Sequence, residues 1–420
     1  MLRTRPFAAY RPRPEDAARV AAPPYDVVDT AEARAIAEGN PLCFLRVSRP
    51  ELELPDDADP YAAPVYARAK ANFKKLLDAG VMRQDTARSI YLYRQEADLL
   101  GKRRSQTGVV CCCHIDDYAK GIIKKHENTR KAKEDDRTKH TLAINANAGP
   151  VFLMHTPTPS ISALVARDTA GAPLYDFTAP DGVRHTVWAA SDPGAYARPF
   201  ASLPAAYIAD GHHRAAASAR AGAEKRAANP KHTGEEEYNW FLAVLFPADA
   251  LTVLPYHRVV ADLSGMTVPQ FLDRLRTVGS VRPLERGIEK YPALGRGTYA
   301  VYADKQWHEL RIEIPTENPR DPVATLDYQV LSDRVLGPIL GIGDIRTDHR
   351  IDFVGGIRGT DELVRRADGE TGGTGVAFAM PAVRIEQVMK VSDAGQIMPP
   401  KCTWFEPKLR SGLLVHSLDP

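Results

Sequence analysis

The sequence predicts an α+β fold built on mixed sheets. Its helical and strand patterns are short and follow one another without the regular β-α-β alternation that a doubly wound parallel sheet requires. At 420 residues and 44% hydrophobic, the chain can bury a large core, and its length suggests two or three subdomains. Boundaries are expected near 155 and 315. They delimit an N-terminal α+β part (1–155), a middle part (156–315) and a C-terminal α+β support (316–420).

Taken in order, Met1 to Val20 mixes Arg3, Arg5, Arg11 and Arg13 with Glu15 and Asp16 and lacks an apolar core, so it is no signal peptide. Pro23-Pro24-Tyr25-Asp26 is rigid, because each proline fixes its own φ and turns the preceding residue away from helix. Such a segment presents Tyr25 and Asp26 either to a cleft or to solvent as a surface loop. Tyr61 to Leu77 carries Val65, Ala69, Phe73, Leu76 and Leu77 at helical spacing with Gly80 as the stop, the pattern of an amphipathic scaffold helix. Ser89 to Arg94 and Gly108 to Ile115 read as strands. Within the second, Cys111-Cys112-Cys113-His114 does not make a metal site, since neighbouring strand residues point to opposite faces and three in a row cannot converge on one tetrahedral ion. The five cysteines, at 43, 111, 112, 113 and 402, include no Cys-x-x-Cys pair and are expected to be reduced thiols.

Lys124 to Lys139 is densely charged, and His126-Glu127 opens it. A zinc-protease motif fails there, because the second histidine would fall at 130, which is Arg130. Two readings stay open. One is a salt-bridged, solvated helix, with Glu127 to Lys131 as a pair and Lys133 beside Glu134; the other sets a carboxylate beside cations, as a general base or magnesium ligand next to phosphate requires. Thr156 to Asp181 is rich in Pro, Gly, Ser and Thr and predicts a connecting region with one short helix at Ser160 to Arg167.

Tyr238 to Phe246 is continuously apolar, as a strand buried on both faces would be, and is far too short to span a bilayer. Thr252 to Val260 reads as the next strand, with His257 and Arg258 either at a sheet edge facing the cleft or simply exposed. Val268 to Thr277 predicts a helix, Thr298 to Ala303 and Trp307 to Ile314 a hairpin, and Leu326 to Leu340 a core helix, with Pro315 to Pro322 a junction. Gly372-Gly373-Thr374-Gly375 lacks the Lys-Ser/Thr ending of a P-loop and predicts a turn before a strand at Val376 to Met380. Lys401 to Val415 is expected to pack the C-terminus back onto the body, from where Lys401 or Lys408 can reach an anion.

The most specific stretch is Tyr207 to Arg214, followed by an alanine-rich run to Arg226. A short apolar strand ends in Asp210-Gly211, turns through His212, His213 and Arg214, and enters a helix. The first N–H groups of a helix are unpartnered and its dipole is positive there, so a phosphate or carboxylate fits such a turn. Arg214 adds a planar fork for two phosphate oxygens and the histidines add donors. The plainer alternative is an Asp210 N-cap with one packed histidine and a solvated arginine.

Asp210 to Arg214 resembles the phosphate-binding signature of the ParB/sulfiredoxin superfamily in the form carried by its free serine kinases. Nearly the whole chain resembles the domain-of-unknown-function family numbered 1015, through Ala22 to Val28, Lys125 to Thr129, Asp136-Arg137, Pro150-Val151-Phe152, Ala209 to Arg214 and Pro399 to Phe405. The resemblance implies a ParB/sulfiredoxin-like core in the middle subdomain and a place in the phosphoserine route of serine metabolism. It implies a kinase of free L-serine or a similar small hydroxy amino acid, using ATP or ADP with Mg²⁺ and no resident metal site. Asp210, Gly211, His212, His213 and Arg214 would hold the nucleotide phosphates. The resemblance does not itself place the catalytic carboxylate; from the residues, Glu127 with His126 is the expected catalytic pair, and Tyr25, Asp26, Asp136, Arg137, His257 and Arg258 are expected to line the substrate.

Two other functions are open. A phosphoserine phosphatase would use the same cationic pocket and carboxylate with water as acceptor, although the Asp-x-Asp nucleophile segment of common phosphatases is missing. A nucleotide-gated, ParB-like binding module would want a helix-turn-helix and a basic face, whereas the net charge is only +2, from 55 Lys and Arg against 53 Asp and Glu. Nucleic acid is therefore not an expected partner, nor is a membrane, and the protein is expected in the cytoplasm. Sulfiredoxin chemistry is set aside, because His212 stands where that motif needs its cysteine.

Overall fold

The computed structural model describes residues 1–55, 57–316, 318–370 and 374–419. The fold is mixed α+β, in two compact units: Met1–Leu251 with Pro407–Pro420, and Thr252–Glu406. The units cut the chain at 251/252 and 406/407, not at 155 and 315.

The first unit is organised on a nine-stranded sheet. Its path runs Ile123–Lys124, Ala206–Asp210, Val151–His155, Trp240–Pro247, Lys102–His114, Tyr91–Leu99, Arg184–Ala189, Tyr175–Thr178, and Thr4–Arg5 joins it alongside Lys102–His114. Two pairings are parallel, Ala206–Asp210 with Ile123–Lys124 and Trp240–Pro247 with Val151–His155; the others are antiparallel. Trp240–Pro247 sits centrally and is buried on both faces, as its unbroken apolar character requires. Cys111, Cys112 and Cys113 lie on the neighbouring strand, paired with Ala243, Leu242 and Phe241. All are buried free thiols, and Cys111 and Cys113 pack with Phe241, Ala243 and Leu245 in one cluster. The Pro- and Gly-rich region expected to be mere connection holds its helix, Pro159–Asp168, and then the strand Tyr175–Thr178, paired with Arg184–Ala189. Pairing to a neighbour overrides the weak local signal of so short a strand.

A four-stranded sheet in the same unit orders Met82–Gln84, Ala9–Pro12, Val415–Ser417 and Ala146–Asn147, so the C-terminus does return to the body. The scaffold helix is Ala63–Asp78, and its buried face is Val65, Tyr66, Ala69, Phe73 and Leu76. Each fully buried side chain of the Phe73 or Leu76 kind contributes roughly 1.5–3 kcal/mol relative to exposure. The charged segment forms the helix Lys131–Ile144, but not as a solvated rod with Glu127 paired to Lys131. It packs between Ala63–Asp78 and His212–Ala228, and its acids go elsewhere: Glu134 and Asp135 hold Arg220 at 3.1 and 2.6 Å.

The second unit carries an antiparallel six-stranded sheet, ordered Ser280–Pro283, Gln306–Arg311, Thr298–Ala303, Val376–Ala379, Tyr256–Val260, Ile351–Gly355. Pro255 splits the strand expected at Thr252 to Val260, and its first piece, Thr252–Leu254, pairs instead with Trp404–Glu406. The expected core helix at Leu326 to Leu340 is Asp327–Leu331 followed by a π-turn, Ser332–Leu336. Gly372 and Gly373 lie outside the described residues.

His257 and Arg258 need correction. They stand on Tyr256–Val260, which is paired on both sides, so they are neither at an edge nor exposed, each only 2% accessible. His257 Nδ1 accepts the Met380 N–H at 3.0 Å. Arg258 donates to the carbonyls of Tyr256, Lys401 and Pro400 at 3.0, 2.8 and 3.1 Å, with its guanidinium over the rings of Phe353 and Tyr328. Those bonds consume the arginine in pinning the 400–401 turn to its own sheet, a structural role.

Candidate functional site

The strand Ala206–Asp210 delivers the chain to Gly211, which is the N-cap of the 17-residue helix His212–Ala228. Gly211 is left-handed, at φ +91°, and no side chain caps the helix. A Cβ at this position would stand 2.9 Å from both Cζ and Nε of Arg214. Glycine is therefore needed twice, for the turn and for the close approach. Among the described residues the N–H groups of His212, His213 and Arg214 have no hydrogen-bond partner, and the helix dipole is positive at the same end.

Asp210 is not the cap. Its carboxylate accepts from Arg214 Nη2 at 2.6 Å and Lys408 Nζ at 3.3 Å. Burial alone would raise its pKa, but Lys408 and then Arg214 hold it well below the ordinary carboxylate range. Arg214 is buried, donates through Nη1 to the Pro150 carbonyl, and has Asp26 at 4.0 Å. Both terminal nitrogens of its fork thus already make one bond each within the protein. Its Nε is buried without a partner.

The two histidines of the motif divide in role. His212 packs edge-on against His126, with centroids 4.5 Å apart, and its Nε2 accepts the His126 N–H at 3.4 Å, while Glu127 Oε2 lies 3.7 Å from Nδ1. His213 Nε2 accepts the Arg130 N–H at 3.0 Å, which pins the approach to the charged helix onto the turn and leaves Nδ1 as donor. Burial pushes both His126 and His212 down to about 3, so both are neutral near pH 7. An unfolded histidine binds its proton near pH 6.5, so the stability these two contribute is full above that pH and is lost as pH falls from 6.5 towards 3. Denaturant titration at pH 7 and pH 5 should show a loss on the order of 1–2 kcal/mol per histidine, reduced in His212→Gln. Equal slopes for wild type and variant would contradict the assignment.

Tyr25 and Asp26 also reach this place. The Arg137 guanidinium lies 4.3 Å over the Tyr25 ring, holds Asp136 at 2.8 Å and donates to the Ser48 carbonyl at 3.1 Å. Asp136 further accepts from Tyr66 Oη at 3.1 Å. Asp136 is therefore buried and saturated, part of a bracket for Tyr25 and not a group that faces substrate. Beside the turn a cavity of about 40 Å³ is lined by Tyr25, Arg137, Thr141, Asn147, Arg214 and Ser411, among others. The structure thus gathers Tyr25, Asp26, His126, Glu127, Asp136, Arg137 and the whole 210–214 motif in one unit. Lys408 joins them from almost two hundred residues away, and the sequence signalled it only as a C-terminal cation. Asn147, Thr141 and Ser411 had no signal at all.

No group of three or more His, Cys, Asp or Glu side chains that could hold a metal ion occurs among the described residues. Magnesium shared with phosphates and water asks for less, one or two carboxylates, and the part-exposed Asp26 and Glu127 fit that need. No described helix is long and apolar enough to cross a membrane.

A family model described as "Protein of unknown function (DUF1015)" matches residues 4–329. No curated protein matches the chain. Among solved structures, a free serine kinase mutant in complex with AMP is 14% identical, covering 71% of this chain and 87% of that one at a TM-score of 0.36. A mutant in complex with ADP is likewise 14% identical, with coverages of 71% and 87% and a TM-score of 0.35. A conserved hypothetical protein from Pyrococcus furiosus is 16% identical, with coverages of 74% and 95% and a TM-score of 0.35. These likenesses are distant.

Proposed function

The chain belongs to the DUF1015 family, and we propose that it is a nucleotide-dependent phosphotransferase acting on free L-serine or a similar small hydroxy amino acid. The observation that carries this reading is the turn at Gly211. Three unpartnered backbone N–H groups open a long helix there, with Lys408 and His213 beside them and a part-exposed carboxylate, Glu127, one histidine away. Phosphoryl transfer is mainly positioning and charge neutralisation, so such a cradle with one base meets its demands.

In this reading the N–H groups of His212 to Arg214 hold a nucleotide phosphate, ATP or ADP. Arg214 and Lys408 keep Asp210 ionised and the turn in shape, and Lys408 supplements the cradle. Magnesium, when bound with the nucleotide, would neutralise phosphate charge, with Asp26 among its ligands. Glu127 accepts the proton of the attacking hydroxyl, and neutral His212 fixes its position. His126 supports His212 from beneath. The ParB/sulfiredoxin-like kinship and a role in serine metabolism, in the cytoplasm, belong to the same proposal.

Lys408→Ala tests the cradle. In calorimetric titration with ADP or ATP and Mg²⁺, the variant should bind about tenfold more weakly and with a shallower salt dependence, as loss of one charge-assisted phosphate contact predicts. Unchanged affinity and salt dependence would remove Lys408 from the site. Absence of any nucleotide binding by wild type would contradict the function itself. Release of phosphate from O-phosphoserine without nucleotide would replace it by the hydrolase.

A further inference from the structure

The cavity beside the turn is polar in a particular way. Tyr25 Oη, Thr141 Oγ1 and Ser411 Oγ make no hydrogen bond among the described residues, although Thr141 and Ser411 are only 9% and 4% accessible. Arg214, also 9% accessible, lines the cavity as well, while its unpartnered Nε is buried on the side of Gly211, where a Cβ would stand 2.9 Å from it. A Cβ built on Gly149 would lie 2.9 Å from Ser411 Oγ and 3.8 Å from Arg214 Cδ, so the hydroxyl and the arginine stem share one wall. Hydroxyls that the protein leaves without partners, gathered in one cavity, are free to donate to an acceptor-rich occupant.

The lining includes no carboxylate, so an ammonium group finds no counter-charge in it. Its two arginines are already matched, Arg214 by Asp210 at 2.6 Å and Arg137 by Asp136 at 2.8 Å. What stays open is a set of hydroxyls, Tyr25 Oη, Thr141 Oγ1 and Ser411 Oγ among them, beside two arginines. Neutral hydroxyls beside guanidinium groups that each already carry a carboxylate suit a monoanion with two oxygens better than a phosphate dianion, which brings twice the charge to the same cations. Asn147, fixed by accepting from the Leu242 N–H at 3.3 Å and donating to Ser218 Oγ at 3.1 Å, makes the far wall rigid.

We infer that this cavity receives the carboxylate of the phosphoryl acceptor, which selects small hydroxy acids and hydroxy amino acids over amino alcohols. The inference rests on the phosphotransferase reading and deepens it. Arg214 belongs to both the cavity wall and the first turn of the helix, so an acceptor held by its carboxylate here lies next to a phosphate held at the turn. Its ammonium group is left towards Asp26, the neighbour of Tyr25.

The test is calorimetry with four probes, L-serine, D-glycerate, L-serinamide and inorganic phosphate, on the full chain with ADP present. L-Serine and D-glycerate should bind, and L-serinamide should bind at least about tenfold more weakly, because a charged acceptor is lost. Thr141→Val and Ser411→Ala should each weaken L-serine by about tenfold or somewhat less while leaving ADP affinity within about twofold. Gly149→Ala, which narrows the cavity without removing a donor, should act the same way if thermal melting shows all three variants folded. L-Serinamide binding as tightly as L-serine, or phosphate binding in competition with L-serine and lost in the same variants, would overturn the inference. If serine is phosphorylated but its KM does not move in these variants, the inference falls and the function stands. If the carboxylates bind with this pattern and no phosphoryl transfer occurs, the cavity stands and the function falls.

Discussion

Glu127→Gln is expected to cut phosphoryl transfer by roughly 10²- to 10⁴-fold and to leave nucleotide affinity unchanged. The other acids of the site are committed: Asp210 to Arg214 and Lys408, and Asp136 to Arg137 and Tyr66. Glu127 has no cation partner among the described residues and only neutral His212 at 3.7 Å, so its carboxylate can turn to a substrate hydroxyl. Gln keeps the size and one acceptor oxygen and loses the capacity to take a proton. Asp26 is the competitor, part-exposed and 4.0 Å from Arg214. Steady-state kinetics of Glu127→Gln beside Asp26→Asn therefore assign the base. Unchanged kcat in Glu127→Gln with a collapse in Asp26→Asn would transfer the role to Asp26.

Gly211→Ala is expected to lower stability by roughly 1–3 kcal/mol, the cost of a non-glycine residue held at positive φ. Turnover should fall on the order of 10²-fold, because the new methyl lies 2.9 Å from the Arg214 guanidinium and must displace it. Gly211→Asn separates the two causes. Asparagine tolerates the left-handed region better than alanine, so stability should partly recover, whereas turnover should not, since the Cβ remains. If Asn restores turnover as well, the close approach to Arg214 has no functional weight.

The turn was legible because its information is local: an apolar strand, a glycine, and an alanine-rich run specify strand, turn and helix within some twenty residues. The buried cysteine strand was legible for a like reason, an apolar run of strand length. What lay hidden is long-range. Lys408 meets Asp210 only because Val415–Ser417 returns to pair with Ala9–Pro12, and the strand order of a mixed sheet is not written in any one strand. The state of Arg214 was hidden for the same reason, since the Pro150 carbonyl that occupies Nη1 comes from the residue before a neighbouring strand. His257 and Arg258 misled because polar residues in a strand suggest exposure. Carbonyls supplied from residues 400 and 401 and two aromatic rings make burial tolerable there.

The most direct test of the central claim is phosphorus NMR of the purified protein with Mg²⁺, L-serine and either ATP or ADP, run beside Glu127→Gln. Growth of an O-phosphoserine resonance, matched by loss of the terminal nucleotide phosphate and absent in the variant, is the predicted result. Nucleotide that stays intact over many hours with serine and protein at substrate-level concentrations, or phosphate released to water with no phosphoserine formed, would contradict it.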